Sequence, residues 1–238
     1  SSIGNRTILD LPIKCHRHFN KLLSLGRRME SYVITGESVQ FCFEIETGPK
    51  QKPDRCVGID TGINALASFS TGEQLGTGVK NGIEKIKRCM HGSKGQKKAV
   101  RALCQRMDEV AKEVVDKASL VVVENLKGIT KNTKRRLVKN MRRSIGRWNV
   151  RYWLETLQRK CEDNRVSFRS VSPYYTSQTC PSCGHVDRKN RDGTVFLCRK
   201  CGHSGNADVV AARNILSRFL TGPYGAGCKP LPVYSLVH

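Results

Sequence analysis

Two CxxC pairs, Cys180/Cys183 and Cys198/Cys201, constrain this chain more than anything else in it. Fourteen residues separate the pairs, and each pair is followed by Gly-His: Gly184-His185 and Gly202-His203. Two sulfurs can face one ion only if the chain turns sharply between them. A glycine just after the second cysteine allows positive φ, so backbone amides can approach the thiolates. Four thiolates at Zn–S distances of about 2.3 Å fill a tetrahedral structural site and leave no open position. Asp192-Gly193 between the pairs reads as a hairpin turn. The segment therefore reads as a zinc ribbon, two knuckles joined by a short hairpin. Its insert is slightly short of the roughly 15–20 residues common in four-cysteine sites. His185 and His203 remain alternative ligands, and a disulfide pairing suits the doubled CxxC-Gly spacing less well.

A closed zinc site does no chemistry, so the acids near it matter. Asp208 follows in the stretch NADVVAARNIL. Asn206 can cap a helix whose apolar face is Val209, Ala212, Ile215, Leu216 and Phe219. Asp208 then falls in its first turn, near the positive end of the helix dipole. Alone it would be an ordinary first-turn acid.

The net charge of +22 over 238 residues narrows the partners. Basic residues run along nearly the whole chain, and nucleic acid is the default polyanion for such a surface. A membrane surface is the rival, but no long apolar run or amphipathic anchor supports it. Of eleven cysteines, four belong to the ribbon. The other seven (Cys15, Cys42, Cys56, Cys89, Cys104, Cys161, Cys228) are scattered, which suits reduced thiols in a cytoplasmic, nucleoid-associated protein better than a disulfide framework.

Residues 1–54 read as β structure. Val39, Phe41, Phe43 and Ile45 alternate with polar residues, and Met29 to Ile34 can pair with them across Thr35-Gly36-Glu37. Ile8 to Ile13 reads as a third strand, and His16 to Gly26 suits either a loop or a short helix. Gly48 to Pro53 has the composition of a linker. Residues 55–79 read as three hairpin-connected strands: Cys56 to Asp60, Ile63 to Phe69 and Gln74 to Val79. Residues 80–98 are basic and Gly-interrupted, suggesting loop and helix start. A helix follows to about Lys117, with Leu103, Met107, Val110 and Val114 on its apolar face. Leu120-Val121-Val122-Val123-Glu124 is a second apolar strand ending in an acid. Asn125 to Asn140 carries six cations and reads as a phosphate-contacting loop or lid. Arg142 to Asp163 reads as a helix with Ile145, Trp148, Tyr152 and Leu157 on one face. Val166 to Val171 is a last strand. The tail after Leu220 is Gly/Pro-rich and reads as loose.

Asp60, Glu124 and Asp208 each fall at an element end. Burying an unpaired carboxylate is very costly unless a cation or donors meet it. Hard Mg²⁺ takes carboxylate and water oxygens. Two such ions about 3.5–4 Å apart can activate a water and stabilise the leaving 3′ oxygen in phosphodiester cleavage. Three acids in this order therefore predict a two-metal nuclease, with two catalytic Mg²⁺ and one structural Zn²⁺.

The motifs GIDTG around Asp60, VVVENLKG around Glu124, PYYTSQTCPSCGHV…FLCRKCGH and NADVVAARNIL closely resemble the split RuvC nuclease of the TnpB family. That family comprises transposon-encoded OrfB proteins and the compact type V CRISPR effectors. The resemblance spans about residues 55–220. It implies an α/β, RNase H-like (RuvC) mixed sheet with flanking helices and an inserted four-Cys zinc ribbon. It assigns residues 55–173 to the first part of the nuclease core, 174–205 to the ribbon, 206–220 to the last core helix and 221–238 to the tail. Residues 1–54 resemble part of the family's β-barrel wedge domain. The resemblance also implies RNA-guided DNA cleavage, a guide RNA as partner, and metal ligation by Asp60, Glu124 and Asp208. Members of the family normally have a longer N-terminal half that grips the guide. A catalytically silent RNA- or DNA-binding relative, such as a guided repressor or transposon remnant, is the alternative. An unguided, structure-selective nuclease is a third.

Overall fold

The structure is a computed structural model that describes residues 12–46, 52, 54–126 and 150–222. The chain divides into two compact units, Ser1–Pro49 and Lys50–His238.

In the first unit, helix α1 (Arg17–Leu25) precedes a hairpin of β1 (Arg27–Ile34) and β2 (Val39–Glu44). The ambiguous His16–Gly26 segment is thus helical. His16 caps it, its Nδ1 accepting from Phe19 N at 3.1 Å. β2 alternates half-buried and exposed residues, as its pattern predicts. Phe19 meets Phe41 and Phe43 edge-on, at centroid distances of 5.5 and 5.4 Å. Among the described residues, no side chain of α1 or β1 is fully buried. One helix on two strands buries little by itself. The expected third strand lies mostly outside the described residues, and Pro12 and Ile13 belong to no strand.

The second unit is built on a five-stranded mixed sheet in the order β5-β4-β3-β6-β7. The strands are β3 (Cys56–Asp60), β4 (Ala67–Phe69), β5 (Gln74–Leu75), β6 (Leu120–Glu124) and β7 (Ser167–Val171). β3, β6 and β7 run parallel, whereas β4 and β5 are antiparallel to their neighbours. The helices are α2 (Val79–Arg88), α3 (Lys94–Lys117), α4 (Val150–Asp163) and α5 (Ala207–Leu220).

Period-2 alternation explains the layering. Val57, Ile59, Val121 and Val123 share one buried cluster with α2, α3 and α4. Their neighbours Cys56, Leu120 and Val122 pack with Ile215, Leu216 and Phe219 of α5. Both faces of β3 and β6 are therefore covered, which is why these strands are apolar throughout.

Four expectations need correction. The strand over Gln74–Val79 ends at Leu75, because Gly76 (φ 68°) and Gly78 (φ 90°) take left-handed backbone that a strand cannot continue. The strand over Ile63–Phe69 is reduced to its last three residues. The basic stretch after it is helical: Val79, Ile83 and Ile86 of α2 recur at helical spacing and are buried. Gly82 lets α2 approach α3, since a Cβ there would lie 3.3 Å from Leu103 Cδ1. α3 begins at Ser93, whose Oγ accepts from Gln96 N at 3.1 Å. On α4 the buried face is Val150, Trp153, Leu157 and Cys161, not a face led by Tyr152, which is only partly buried. Ile145, Trp148, the basic segment Lys127–Asn140, the linker around Pro49 and the tail from Pro223 all lie outside the described residues.

Candidate functional site

Side-chain alternation also places the three acids. Residues i and i+2 of a strand share a face. Asp60 thus shares the α5 side with Gly58, and Glu124 shares it with Val122. The parallel register pairs Ile59 with Val123, so Asp60 and Glu124 end neighbouring strands side by side. α5 crosses this face closely: a Cβ on Gly58 would lie 2.2 Å from Ala212 O. Its first turn carries Asp208, with Asn206 as N-cap accepting from Asp208 N (2.9 Å) and Val209 N (3.2 Å). The sequence-predicted trio therefore gathers at one end of the sheet.

The electrostatics follow from this crowding. Asp60 is pushed from the ordinary 3.8 up to about 7, by burial first, then by the Glu124 and Asp208 charges, with Arg191 opposing. Burial also raises Glu124, opposed by the Thr176 hydroxyl and by Arg218 and Arg191. Asp208 is 6% exposed, and Arg191 Nη2 donates to its Oδ1 at 2.7 Å. Arg191 thus serves all three carboxylates as counter-cation.

Residues outside the acidic motifs hold these groups. Thr176, 2% exposed, donates its hydroxyl to Glu124 Oε1. The loop carrying Thr176 is tied to α5 by Asn214 Nδ2, which donates to Thr176 O and Thr179 O, both at 2.7 Å. Arg218 Nη1 donates to Ser172 O at the loop's start. Trp153 Nε1 donates to Thr61 Oγ1 at 3.3 Å, bracing the residue after Asp60.

The ribbon comprises a single helical turn at Arg188–Asn190 and strands β8 (Arg191–Asp192), β9 (Val195–Leu197) and β10 (Ser204–Asn206). Gly193 turns β8 into β9 with φ 56°. Cys180, Cys183, Cys198 and Cys201 have their sulfurs within 4.8 Å of one another, the sole such group of ligand atoms among the described residues. Cys180–Cys201 and Cys183–Cys198 Sγ distances are both 3.6 Å. A tetrahedron with metal–sulfur bonds of about 2.3 Å needs sulfurs about 3.8 Å apart, so the cluster can hold an ion such as zinc. Both knuckles close alike. Gly184 N and Gly202 N donate to Cys180 O and Cys198 O at 3.0 Å, with φ 71° and 75°. His185 and His203 lie outside the cluster, and His203 Nδ1 meets Ser182 Oγ at 3.0 Å. Asn190, 1% exposed, joins the knuckles. It donates to Gln178 O (2.9 Å) and accepts from Arg199 N (2.9 Å).

The three carboxylates do not form such a group of mutually close ligand atoms. Here the guanidinium of Arg191 lies against Asp208, and the hydroxyl of Thr176 against Glu124.

The family model described as Cas12f1-like, TNB domain, matches residues 152–215. That stretch runs from α4 through the ribbon to α5. A TnpB-like protein of Aquifex aeolicus is 32% identical over 135 residues, covering 55% of this chain and 44% of the relative. In these stretches the chain is similar to proteins of the TnpB and compact type V effector family. Another relative of that family is the CRISPR-associated endodeoxyribonuclease Cas12f1 of Sulfoacidibacillus thermotolerans. It is 47% identical over 57 residues, which are 24% of this chain and 14% of the relative. A solved Cas12f1–sgRNA–target DNA complex has a similar fold, with a TM-score of 0.51 at 22% identity, covering 76% of this chain and 54% of that one. The chain spans less than half the length of these two relatives. No helix among the described residues is long and apolar enough to cross a membrane.

Proposed function

We propose that this chain is the nuclease part of an RNA-guided DNA endonuclease, with an RNase H-like (RuvC) core that hydrolyses phosphodiesters with Mg²⁺. In this reading residues 55–173 and 206–220 form the core, 174–205 the ribbon, 1–54 a wedge-like segment and 221–238 the tail. The observation that carries it is the gathering of Asp60, Glu124 and Asp208, close enough that the last two charges add to burial in raising Asp60 to about 7. Such mutual repulsion invites divalent cations, and an all-carboxylate donor set fits hard ones.

Asp60, Glu124 and Asp208 would hold the ions. Bound there, two ions supply Lewis acidity that activates water and stabilises the leaving oxygen. The chain's residues do the rest. Thr176 fixes the Glu124 carboxylate, and Arg191 balances the acids until a cation or phosphate enters. The four-cysteine cluster, holding zinc, keeps Arg191 in place. The relatives' names supply the guided, DNA-cleaving class. The charge of +22 supplies the attraction to DNA and guide RNA.

The test is cleavage of single-stranded and plasmid DNA, with and without added Mg²⁺, by the zinc-loaded wild type and by Asp60→Ala. The wild type should cut only with Mg²⁺, and the variant should lose at least about a hundredfold in rate. Equal rates would remove Asp60 from the chemistry. RNA sequenced from the purified protein tests the guide separately.

A further inference from the structure

Two tyrosines stand beside the Glu124 anchor and have no part in the scheme above. Tyr174 is 73% exposed and Tyr175 59%, while the next residue, Thr176, is buried against Glu124. Tyr175 lies at φ 62°, in the left-handed region. That conformation is disfavoured for an L residue, because its Cβ crowds the following carbonyl oxygen. The backbone is fixed there, because the Tyr175 carbonyl accepts from Gln178 N (3.0 Å), Thr179 N (3.0 Å) and Thr179 Oγ1 (2.7 Å). Glycine makes comparable turns in both knuckles, at Gly184 and Gly202. A large exposed ring therefore stands where the backbone favours none. Strain of this kind collects where a side chain has work to do.

The position suggests the work. Tyr175 directly precedes the residue whose hydroxyl holds Glu124, which puts the pair of tyrosines at the edge of the carboxylate site. The three acids repel phosphate, so a strand entering the site needs neighbouring contacts that are not anionic. Aromatic faces provide them for any base.

We infer that Tyr174 and Tyr175 form a stacking platform for an unpaired nucleobase of the strand whose phosphate lies at Asp60, Glu124 and Asp208. The inference rests on the nuclease reading and adds a base subsite to it. The platform takes single strands, because a base inside a duplex already has both faces stacked. It is sequence-tolerant, since every base has a π face.

The experiment compares the zinc-loaded full chain with its Tyr174→Leu/Tyr175→Gly variant, by fluorescence anisotropy on oligothymidylate without added Mg²⁺, where no cleavage is needed. Glycine at 175 suits the left-handed backbone, and a Tyr174→Phe/Tyr175→Phe variant keeps the rings. The Leu/Gly variant should bind roughly 5- to 100-fold more weakly, and the Phe variant within about twofold of wild type. On a fully abasic deoxyribose-phosphate oligomer of the same length, wild type and variants should bind alike. A loss equal on thymidylate and abasic strands, or no loss on thymidylate, overturns the platform. Failure of the nuclease reading looks different: no Mg²⁺-dependent product from the wild type, whatever the anisotropy shows.

Discussion

Arg191 and Asp208, seventeen residues apart, form a 2.7 Å ion pair in which the carboxylate is 8% exposed and the guanidinium 30%. The pair joins the ribbon to the first turn of α5, so the sulfur cluster and the acid cluster are one mechanical unit. Its chemistry is that of a placeholder. Arg191 supplies a cation among the three carboxylates, a role that divalent ions would share in the proposed reading.

Arg191→Ala should therefore destabilise the Mg²⁺-free protein by about 2–3 kcal/mol, because it leaves a buried charge without its partner. Saturating Mg²⁺ should shrink that loss to less than half, since another cation then meets Asp208. Urea unfolding of the zinc-loaded protein without and with Mg²⁺ measures both. The same loss in each medium would mean that Arg191 is a structural brace alone.

Thr176 offers a cleaner separation of geometry from chemistry. Thr176→Val keeps shape but removes the hydroxyl that fixes Glu124, while the Asn214 bonds to backbone carbonyls remain. Groups that orient metal ligands typically matter by about 10–100-fold. Cleavage by Thr176→Val should fall by about that factor, with Thr176→Ser staying within about threefold of wild type. A valine variant as active as the serine one would strip the hydroxyl of this role.

Asp60 predicts a pH dependence with a definite sign. An unfolded aspartate titrates near 3.8, and here the folded value is about 7. Between them the folded chain holds a proton that the unfolded chain has released, so stability falls as pH rises. The contribution is fully present below the unfolded value and is lost as pH passes through about 7. Glu124, also raised, acts in the same direction. With the ribbon zinc-loaded and no Mg²⁺ added, Tm should drop from pH 5.5 to pH 8 more steeply for wild type than for Asp60→Asn, and Mg²⁺ should flatten the wild-type profile. Parallel slopes for the two proteins would contradict the assigned burial.

What could be read from the sequence were the features with a short-range signature. The knuckle glycines, the Asp192-Gly193 turn, the Asn206 cap and the two apolar strands ending in acids all announce themselves within a few residues. Arg191 does not: it is one cation among forty-two lysines and arginines, and only the folded ribbon brings it to Asp208. Thr176 and Asn214 are likewise joined by the approach of a loop to α5. Trp153 was hidden by a phase error of one residue on α4, where the half-exposed Tyr152 took its place in the pattern. α2 was obscured by Gly82 and its lysines, because burial of Val79, Ile83 and Ile86 outweighs local propensity.

In the proposed reading, removal of zinc from the cysteine cluster should act on cleavage at a distance. Cys180 and Cys198 are buried in a small cluster with Phe196, Ala207 and Val210, the last two belonging to α5. Cys180→Ser should lower bound zinc by about one equivalent per chain and abolish most cleavage, with no change in the acids themselves. Metal analysis beside a cleavage assay tests this. Full activity with the zinc gone would uncouple the ribbon from the site.

The contact of α5 with β3 sets the spacing between Asp208 and Asp60, and glycine makes it possible. A Cβ on Gly58 would meet Ala212 O at 2.2 Å and Leu216 N and Cβ at 2.8 Å, two of the three being backbone and the third the root of a side chain. No flexible tip is there to yield, so the helix would have to lift from the sheet. Gly58→Ala should destabilise by about 3 kcal/mol or more, at the upper end of overpacking costs. Cleavage should fall further than the folded fraction does, because Asp208 moves with the helix. Gly62→Ala is the control: its Cβ would find nothing nearer than Ala65 O at 3.6 Å, an ordinary contact. Thermal melts and rates normalised to folded protein decide the matter. A Gly58→Ala protein with wild-type Tm would mean that α5 does not lie as close to β3 as described.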